Sequence, residues 1–174
     1  MQLLIIFETV EGQTGRIVRA VADQARQLGH DVTLHDLSDK SAALPIDSAD
    51  RIILAAPVHE RRHPPNFEAM LSARGKEIAA RPGLLLSVSL KAAFPEGREE
   101  AQDYLTEMKM RTGFKPAQEA LVAGAVRMNS YDYFQSQIVR HVALAGHDVE
   151  LQDGVKEFTD WDALRETVAG FLDA

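Results

Sequence analysis

Short apolar runs recur along the chain and predict buried strands. Four of them consist almost entirely of aliphatic residues, and turn residues bound each one. Runs of this length are typical of parallel strands that are covered on both faces. They occupy residues 3–7, 52–56, 84–90 and 120–126.

A fifth segment, residues 31–37, alternates between apolar and polar positions. Val32 and Leu34 point to one side of the predicted strand, and Thr33 and His35 point to the other. Alternation of this kind predicts a half-exposed strand, which belongs at the edge of a sheet.

Helical spacing of apolar residues fills the intervals between the strands. In the first interval apolar residues from Ile17 to Leu28 follow a 3.6-residue period, and Gly29 is predicted to end the helix. In a later interval Pro64 and Pro65 are predicted to open a second helix, because proline is favoured at the first helical position.

Two further helices are predicted nearer the carboxyl end. One runs over residues 96–112 and stops at Gly113. The last begins at Thr159, whose hydroxyl is predicted to act as N-cap while Asp162 completes a capping box.

Alternation of strands and helices predicts an α/β fold with right-handed crossovers. With the second strand at an edge, the pattern favours a three-layer sandwich whose five-stranded parallel sheet has the order 2-1-3-4-5. The linker over residues 38–50 fits either a short helix or a loop. Residues 127–156 are predicted to be an insertion before the last helix, and the spacing over 131–145 favours a helix within it.

Composition narrows the class of function. The chain has 174 residues, 45% of them hydrophobic, which predicts a single domain over residues 1–174. Its net charge of −7 makes it a poor candidate for sequence-independent nucleic-acid binding. There are no cysteines, so redox chemistry would need an organic cofactor or a metal without thiolate ligands.

The first residues read as a strand and carry neither a basic leader nor a small-residue cleavage site. No uncharged apolar run reaches the roughly 20 residues of a membrane helix. We therefore expect a cytoplasmic protein whose contact with a membrane is at most peripheral.

Ligands of an open parallel sheet bind beyond the carboxyl ends of the strands, where the strand order reverses. In a 2-1-3-4-5 sheet this point lies between strands 1 and 3. The loops that could form a site are therefore residues 8–15, 57–65 and 89–97.

The first loop has the features of a phosphate-binding turn. Thr9 and Thr14 offer hydroxyl groups, Gly12 lets the backbone curl, and a helix follows directly. Backbone N–H groups of the loop could then point inward as an anion-binding nest. The alternative is a tight turn in which Thr14 only caps the helix.

The second loop is rich in cations. Arg61 and Arg62 could meet carboxylates of a substrate or an anionic flavin, and the alternative is a solvated polar loop. The four-residue spacing of His59 and His63 resembles a metal pair, but Pro64-Pro65 interrupts any helix there and no third ligand is evident. We therefore predict no metal site.

Other ligand classes fit less well. The chain lacks both the G-x-G-x-x-G and the G-x-x-x-x-G-K-[ST] patterns of nucleotide-binding loops. A phospho-acceptor receiver domain needs an aspartate at the end of strand 3, where this chain has Ala55-Ala56-Pro57. In the insertion, Tyr131 and Tyr133 could line a substrate groove or simply pack.

The spacing of Thr9, Gly12 and Thr14 resembles the T-x-T-G-x-T loop of flavodoxins. With an acidic residue before the glycine, the loop is similar to that of bacterial menaquinone-dependent protoporphyrinogen oxidases, a flavodoxin-like family. The similarity runs nearly end to end. The other matching segments are Ser87-Val88-Ser89-Leu90, Ala123-Gly124-Ala125-Val126-Arg127, Tyr131-Asp132-Tyr133-Phe134 and Thr159-Asp160-Trp161.

The resemblance implies FMN as cofactor, protoporphyrinogen IX as substrate and a quinone as electron acceptor, in haem biosynthesis. Position in the loops and the insertion makes Arg61, Arg62, Tyr131 and Tyr133 the candidates for substrate binding, and position alone makes His59 the candidate proton donor. The residues implied to hold the phosphate are Thr9, Val10, Glu11, Gly12, Gln13 and Thr14, with Glu11 acting through its amide. Those implied to flank the isoalloxazine are Pro57, Val58, His59, Ser89, Leu90 and Lys91.

Two other functions stay open. One is a flavodoxin-like electron carrier or quinone reductase with a different substrate, and the other is a binding module without a cofactor. The partners expected are small molecules, and self-association into a homo-oligomer is compatible with the sequence.

Overall fold

The computed structural model describes residues 1–128 and 150–174. Within them lies a parallel sheet with the strand order β2-β1-β3-β4-β5, as predicted. The first strand lies between the second and the third. The chain therefore runs from β1 to one edge of the sheet at β2, and then returns past β1 toward the other edge. The strands are β1 (Gln2–Phe7), β2 (Asp31–Asp36), β3 (Arg51–Pro57), β4 (Gly83–Ser89) and β5 (Gln118–Ala123).

Two helices cover each face of the sheet. On one face α1 (Gln13–Gln27) and α4 (Trp161–Asp173) pack over Leu3 and Ile5. On the other face α2 (Pro65–Ala79) and α3 (Arg98–Thr112) pack over the alternate residues of the same strand, Leu4 and Ile6. Because both faces are covered, the central strands need apolar residues at every position, which explains their continuous apolar runs.

The predicted helix limits hold at three points. Gly29 follows α1 in the left-handed region at φ +83°, and its N–H donates to the Arg26 carbonyl. Pro65 begins α2, and Gly113 ends α3 at φ +71° with its N–H on the Lys109 carbonyl. Only a residue that tolerates positive φ ends a helix in this way, so the glycines mark these ends.

The edge position of β2 is confirmed, but the burial of its side chains does not alternate as the sequence predicts. Val32 packs against the core, yet Leu34 is 38% exposed and His35 is 8% exposed. The linker over residues 38–50 is a loop with one 3₁₀ turn, Ile46–Ser48, whose Ile46 is buried.

The predicted strand over residues 120–126 is wrong in its second half. Gly124 donates its N–H to the Ser89 carbonyl and accepts from the Phe158 N–H, and the chain then leaves the sheet. Residues Ala125–Arg127 form β6, which pairs antiparallel with β7 (Val155–Glu157). This two-stranded ribbon holds the base of the insertion. The predicted helix over 131–145, with Tyr131 and Tyr133, lies outside the described residues.

The predicted capping box of the last helix is also wrong. The helix starts at Trp161, and its N-cap is Asp160, whose carboxylate accepts the Ala163 N–H at 3.0 Å. Thr159 instead donates its hydroxyl to the Ala123 carbonyl at 2.7 Å. Asp162 pairs with Arg165. No helix in the described ranges combines the length and apolar character of a membrane-spanning segment.

Candidate functional site

Three loops meet at the carboxyl edge of the sheet because β1, β3 and β4 are parallel neighbours. The Glu8 N–H donates to the Ala55 carbonyl at 3.2 Å, and the Val58 N–H donates to the Val88 carbonyl at 2.8 Å. Residues 8–15, 57–65 and 89–97 therefore surround one end of the molecule, as the switch-point rule predicts.

The first loop leaves the helix end open to an anion. Gly12 is the N-cap of α1 with φ +93°, no side chain caps the helix, and its first turn contains no acidic residue. The Gly12 N–H donates to the Thr9 hydroxyl at 3.1 Å. Within the described part of the chain, the N–H groups of Gln13, Thr14 and Gly15 donate to no backbone or side-chain acceptor.

Thr14 lies in the first turn of α1 and does not cap it, so the alternative of Thr14 as N-cap is wrong. Its side chain is 2% exposed, and its hydroxyl makes no hydrogen bond to another described residue. A hydroxyl on a side chain that is almost fully buried, beside unpaired amides at the positive end of a helix dipole, is suited to an oxyanion.

The two acidic residues of the loop have other partners. The Glu8 carboxylate accepts the Phe67 N–H at 3.1 Å and the Asn66 side-chain amide at 3.3 Å, so it caps α2. The Glu11 carboxylate lies 3.7 Å from His59 Nδ1, across the mouth of the site. In the described structure both carboxylates therefore contact groups outside the first turn of α1.

The second loop contains a tight reversal. His59 and Arg62 exchange two backbone hydrogen bonds of 2.9 Å, and the residues between them, Glu60 and Arg61, have φ values of +47° and +67°. Hairpin turns of this kind favour Asn and Gly, because other side chains cost about 1–2 kcal/mol per residue in the left-handed region. Side-chain contacts must therefore hold the reversal.

Both arginines of this loop are paired with carboxylates of the chain. Arg61 Nη1 lies 3.0 Å from Glu100 Oε1, and its guanidinium lies 5.1 Å from the centre of the Tyr104 ring. Arg62 Nη2 lies 3.1 Å from Glu68 Oε2, which Arg111 also binds. Burial raises the pKa of Glu68, but the hydrogen bonds from Arg111 and Arg62 lower it by more than burial raises it. The pKa of Glu68 therefore lies below its ordinary value.

His63 turns inward and is separated from His59. Its Nε2 lies 3.0 Å from the Ser87 hydroxyl, its ring stacks on Phe67, and it is 2% exposed. Burial lowers the pKa of His63 to about 4, so the ring is neutral at pH 7. The two histidines that resemble a metal pair in the sequence therefore have different surroundings.

The third loop is compact. The Ser89 hydroxyl accepts the Ala92 N–H at 3.2 Å, and Lys91 Nζ lies 3.0 Å from Glu100 Oε2. Phe94 packs edge-on against Phe158 with ring centres 5.4 Å apart, in a small apolar cluster beside β6. Of the rings that the loops offer, His59 therefore has the most accessible side chain, at 40% exposed.

Gly97 closes this loop in a space that no side chain can enter. A Cβ atom at Gly97 would lie 2.4 Å from the Lys91 carbonyl oxygen. We expect Gly97→Ala to lower the free energy of unfolding by about 1–3 kcal/mol, because the backbone around Lys91 must move. Gly170→Ala in α4 is the matched control, since a Cβ there meets nothing within 4 Å. Equal unfolding midpoints for the two variants in urea would contradict this expectation.

Sequence reasoning missed a polar network behind the first loop. Gln13 Nε2 donates to Glu157 Oε2 at 2.9 Å and to the Thr159 hydroxyl at 3.0 Å, and its Oε1 accepts from Arg127 at 3.2 Å. Trp161 Nε1 also donates to Glu157, at 2.8 Å. Burial raises the pKa of Glu157, but the hydrogen bonds from Gln13 and Trp161 outweigh it, so the pKa is lowered. The Gln13 side chain thus joins the start of α1 to β7. Its backbone N–H takes no part in this network.

Comparison with known proteins gives the same fold. The Flavodoxin domain family matches residues 4–150. A curated relative from Escherichia coli K12, protoporphyrinogen IX dehydrogenase (quinone), is 26% identical over 98% of this chain and 92% of its own length.

Solved structures agree on topology. Oxidised flavodoxin 1 from Bacillus cereus has a TM-score of 0.58 at 16% identity, covering 99% of this chain and 98% of that one. A Fusobacterium nucleatum flavodoxin bound to flavin mononucleotide has a TM-score of 0.53 at 12% identity, covering 99% and 95%. The resemblance inferred from the motifs is confirmed, and with a family match across most of its length this chain belongs to the flavodoxin domain family.

Proposed function

We propose that this protein binds FMN and works as an FMN-dependent oxidoreductase, with a protoporphyrinogen as electron donor and a quinone as acceptor. The observation that carries the proposal is the open amino end of α1, which combines three unpaired amides with the Thr14 hydroxyl. A phosphate monoester is the ligand that such an end favours. The 26% identical relative, whose name includes protoporphyrinogen and quinone, supports the choice of substrates.

The residues of the first loop fit the phosphate of FMN. Gly12 has no Cβ, so its backbone can approach a ligand closely. Its φ of +93° would also strain any other residue at this position. Thr9 is held by the Gly12 N–H, and Val10 is 61% exposed at the tip. Glu11 and Gln13 contribute amides, because their side chains are directed to His59 and Glu157.

The other two loops would flank the isoalloxazine. Pro57, Val58 and His59 would lie on one side, and Ser89, Leu90 and Lys91 on the other. FMN, when bound, supplies the acceptor for hydride and the relay of electrons to a quinone. The chain's own part is to hold the ring between the loops and to move protons at its edge.

His59 is the candidate proton carrier at that edge. Its side chain is 40% exposed, and its Nδ1 lies 3.7 Å from the Glu11 carboxylate, which can orient the ring. Oxidation of a porphyrinogen releases protons as well as electrons, so a partly exposed imidazole beside the flavin is suited to accept them.

A second candidate is an electron carrier or quinone reductase without porphyrinogen activity. The observation that favours it is that Arg61 and Arg62 already bind Glu100 and Glu68. Propionate groups of a porphyrinogen would have to compete with these carboxylates. The recognition of substrate by Arg61, Arg62, Tyr131 and Tyr133 stays a prediction.

The decisive experiment has two stages. Purified protein is first titrated with FMN by flavin fluorescence, and retention of a flavin spectrum after gel filtration supports the cofactor. Protoporphyrinogen IX oxidation is then followed with menaquinone under anaerobic conditions. Flavin binding with quinone reduction but without porphyrinogen oxidation would favour the second candidate. A protein that binds no FMN would be a binding module and would overturn the proposal.

Thr14→Val is expected to raise the Kd for FMN about tenfold, because the phosphate loses one hydroxyl donor. Riboflavin has no phosphate, so its Kd should stay unchanged. Thr33→Val on the exposed edge strand β2 is the matched control. Fluorescence titration gives both constants, and an FMN Kd within twofold of the unsubstituted protein would remove Thr14 from the site.

A further inference from the structure

One carboxylate joins the two loops that lie beside each other at the site. Glu100, in the first turn of α3, binds Arg61 of the second loop and Lys91 of the third, each at 3.0 Å. It also accepts the hydroxyl of Tyr104. Arg61 and Lys91 are 30 residues apart in sequence, and α2 and β4 lie between them.

The contact to the second loop falls where its backbone is least favourable. Arg61 has φ +67°, and the neighbouring Glu60 is also left-handed. The Arg61 guanidinium is fixed on one side by Glu100 and on the other by the ring of Tyr104, 5.1 Å away. These contacts support the left-handed turn together with the two backbone hydrogen bonds between His59 and Arg62, so replacing Glu100 removes one of its supports.

The contact to the third loop is made at the start of that loop's 3₁₀ turn. Lys91 begins the 3₁₀ turn Lys91–Ala93, directly after Ser89 and Leu90. Its ammonium group lies on the other oxygen of the Glu100 carboxylate. The hydrogen bond from Tyr104, followed by that from Lys91, lowers the pKa of Glu100 and keeps it charged.

We infer that Glu100 is a positioning residue that sets the separation of the loops over residues 57–63 and 89–94, and thereby the width of the slot for a flavin ring. The inference rests on the proposed function. It concerns the ring and not the phosphate, because the contacts of Glu100 are to the second and third loops. The first loop contacts the second through the Glu11–His59 pair, and the Gln13 side chain is held by Glu157.

Neighbouring acids do not share this arrangement. Glu107 lies 3.9 Å from Arg61 and 3.6 Å from Arg111, and none of its contacts reaches the third loop. Glu99 is exposed on the same helical turn as Glu100 and contacts neither loop in the described structure. Glu99→Gln therefore removes the same charge from the same turn and serves as the matched control.

The test compares Glu100→Gln, Glu99→Gln and Lys91→Met by hydrogen exchange and by flavin titration. Without added flavin, we expect amide exchange in Glu100→Gln to rise severalfold in both loops and to stay unchanged at the start of α1. Lys91→Met should loosen only the third loop. With flavin, the Kd values for riboflavin and for FMN should both rise by the same factor, about fivefold to tenfold, because two charge-assisted contacts are lost.

The outcomes are separable. If the protein binds FMN but loop exchange and both Kd values in Glu100→Gln lie within twofold of Glu99→Gln, the inference is overturned and the proposed function stands. If only the FMN Kd rises, Glu100 acts on the phosphate and the inference is overturned. If the unsubstituted protein binds neither flavin, the proposed function is overturned, and the ring slot with it.

Discussion

Replacement of Phe67 by alanine is expected to lower the free energy of unfolding by about 3–5 kcal/mol. The side chain is fully buried between the sheet and α2, and it belongs to the core that α2 and α3 share. Its ring also stacks on His63 at 6.1 Å, and its N–H is capped by Glu8. The cavity would lie at the first turn of α2, beside the contacts that His63 and Glu8 make with Phe67.

Urea unfolding at pH 7 measures this loss. Met110→Ala is the matched control, because Met110 is 80% exposed on α3 and its truncation should change stability by less than about 0.5 kcal/mol. A loss below about 1.5 kcal/mol for Phe67→Ala would mean that the amino end of α2 is not part of the cooperative core.

The second large effect is a loss of stability on mild acidification, caused by His63. Its folded pKa is about 4, and the ordinary value is 6.5. Between these values the unfolded chain binds a proton that the folded chain excludes, so the free energy of unfolding falls as pH falls. The full difference is about 3 kcal/mol, of which about 2 kcal/mol is lost between pH 6.5 and 5.

The groups around His63 explain the direction of the shift. Burial lowers the pKa most, Glu68 opposes this, and Arg111 adds to it. Arg62 also pairs with Glu68 and so weakens its effect on the ring. His63→Gln should remove most of the stability change between pH 6.5 and 5, and His30→Gln should not. Parallel pH curves for the His63→Gln variant and the unsubstituted protein, from urea unfolding, would contradict this assignment.

The fold was predictable because its main signals are local. The apolar runs of β1, β3 and β4 need only a few consecutive residues to indicate strands covered on both faces, and the edge strand differs visibly from them. The candidate phosphate loop, which stays a prediction, is local too, since Thr9, Gly12 and Thr14 lie within six consecutive residues. Both predictions depend on spacing along one segment.

What sequence reasoning missed depends on partners far apart in the chain. Glu8 looks like an acid beside the phosphate loop, but its partner is the start of α2, and 59 residues separate Glu8 from Phe67. Glu100 looks like one of several helix acids until folding brings Arg61 and Lys91 to it. His63 is polar and follows a loop, yet the hydroxyl of Ser87 in a buried strand gives it a partner inside. Polar residues carry no periodicity that identifies such partners.

The same limit explains the error at strand 5. Residues 120–126 are uniformly apolar or small, and the pattern contains nothing that distinguishes a strand of the main sheet from one that leaves it. The break at Gly124 is set by the Ser89 carbonyl on one side and the Phe158 amide on the other.

The ribbon of β6 and β7 has a consequence for how this part of the chain can diverge. Its strands bring the two ends of the intervening segment together, since the Met128 N–H donates to the Gly154 carbonyl at 2.8 Å. A segment tethered at adjacent points can grow or shrink at little thermodynamic cost, about 0.6 kcal/mol for each doubling of a flexible loop. Sequences that differ in the length of this stretch can therefore keep the same fold, and because Glu157 of β7 binds Gln13, the stretch starts and ends beside the candidate site.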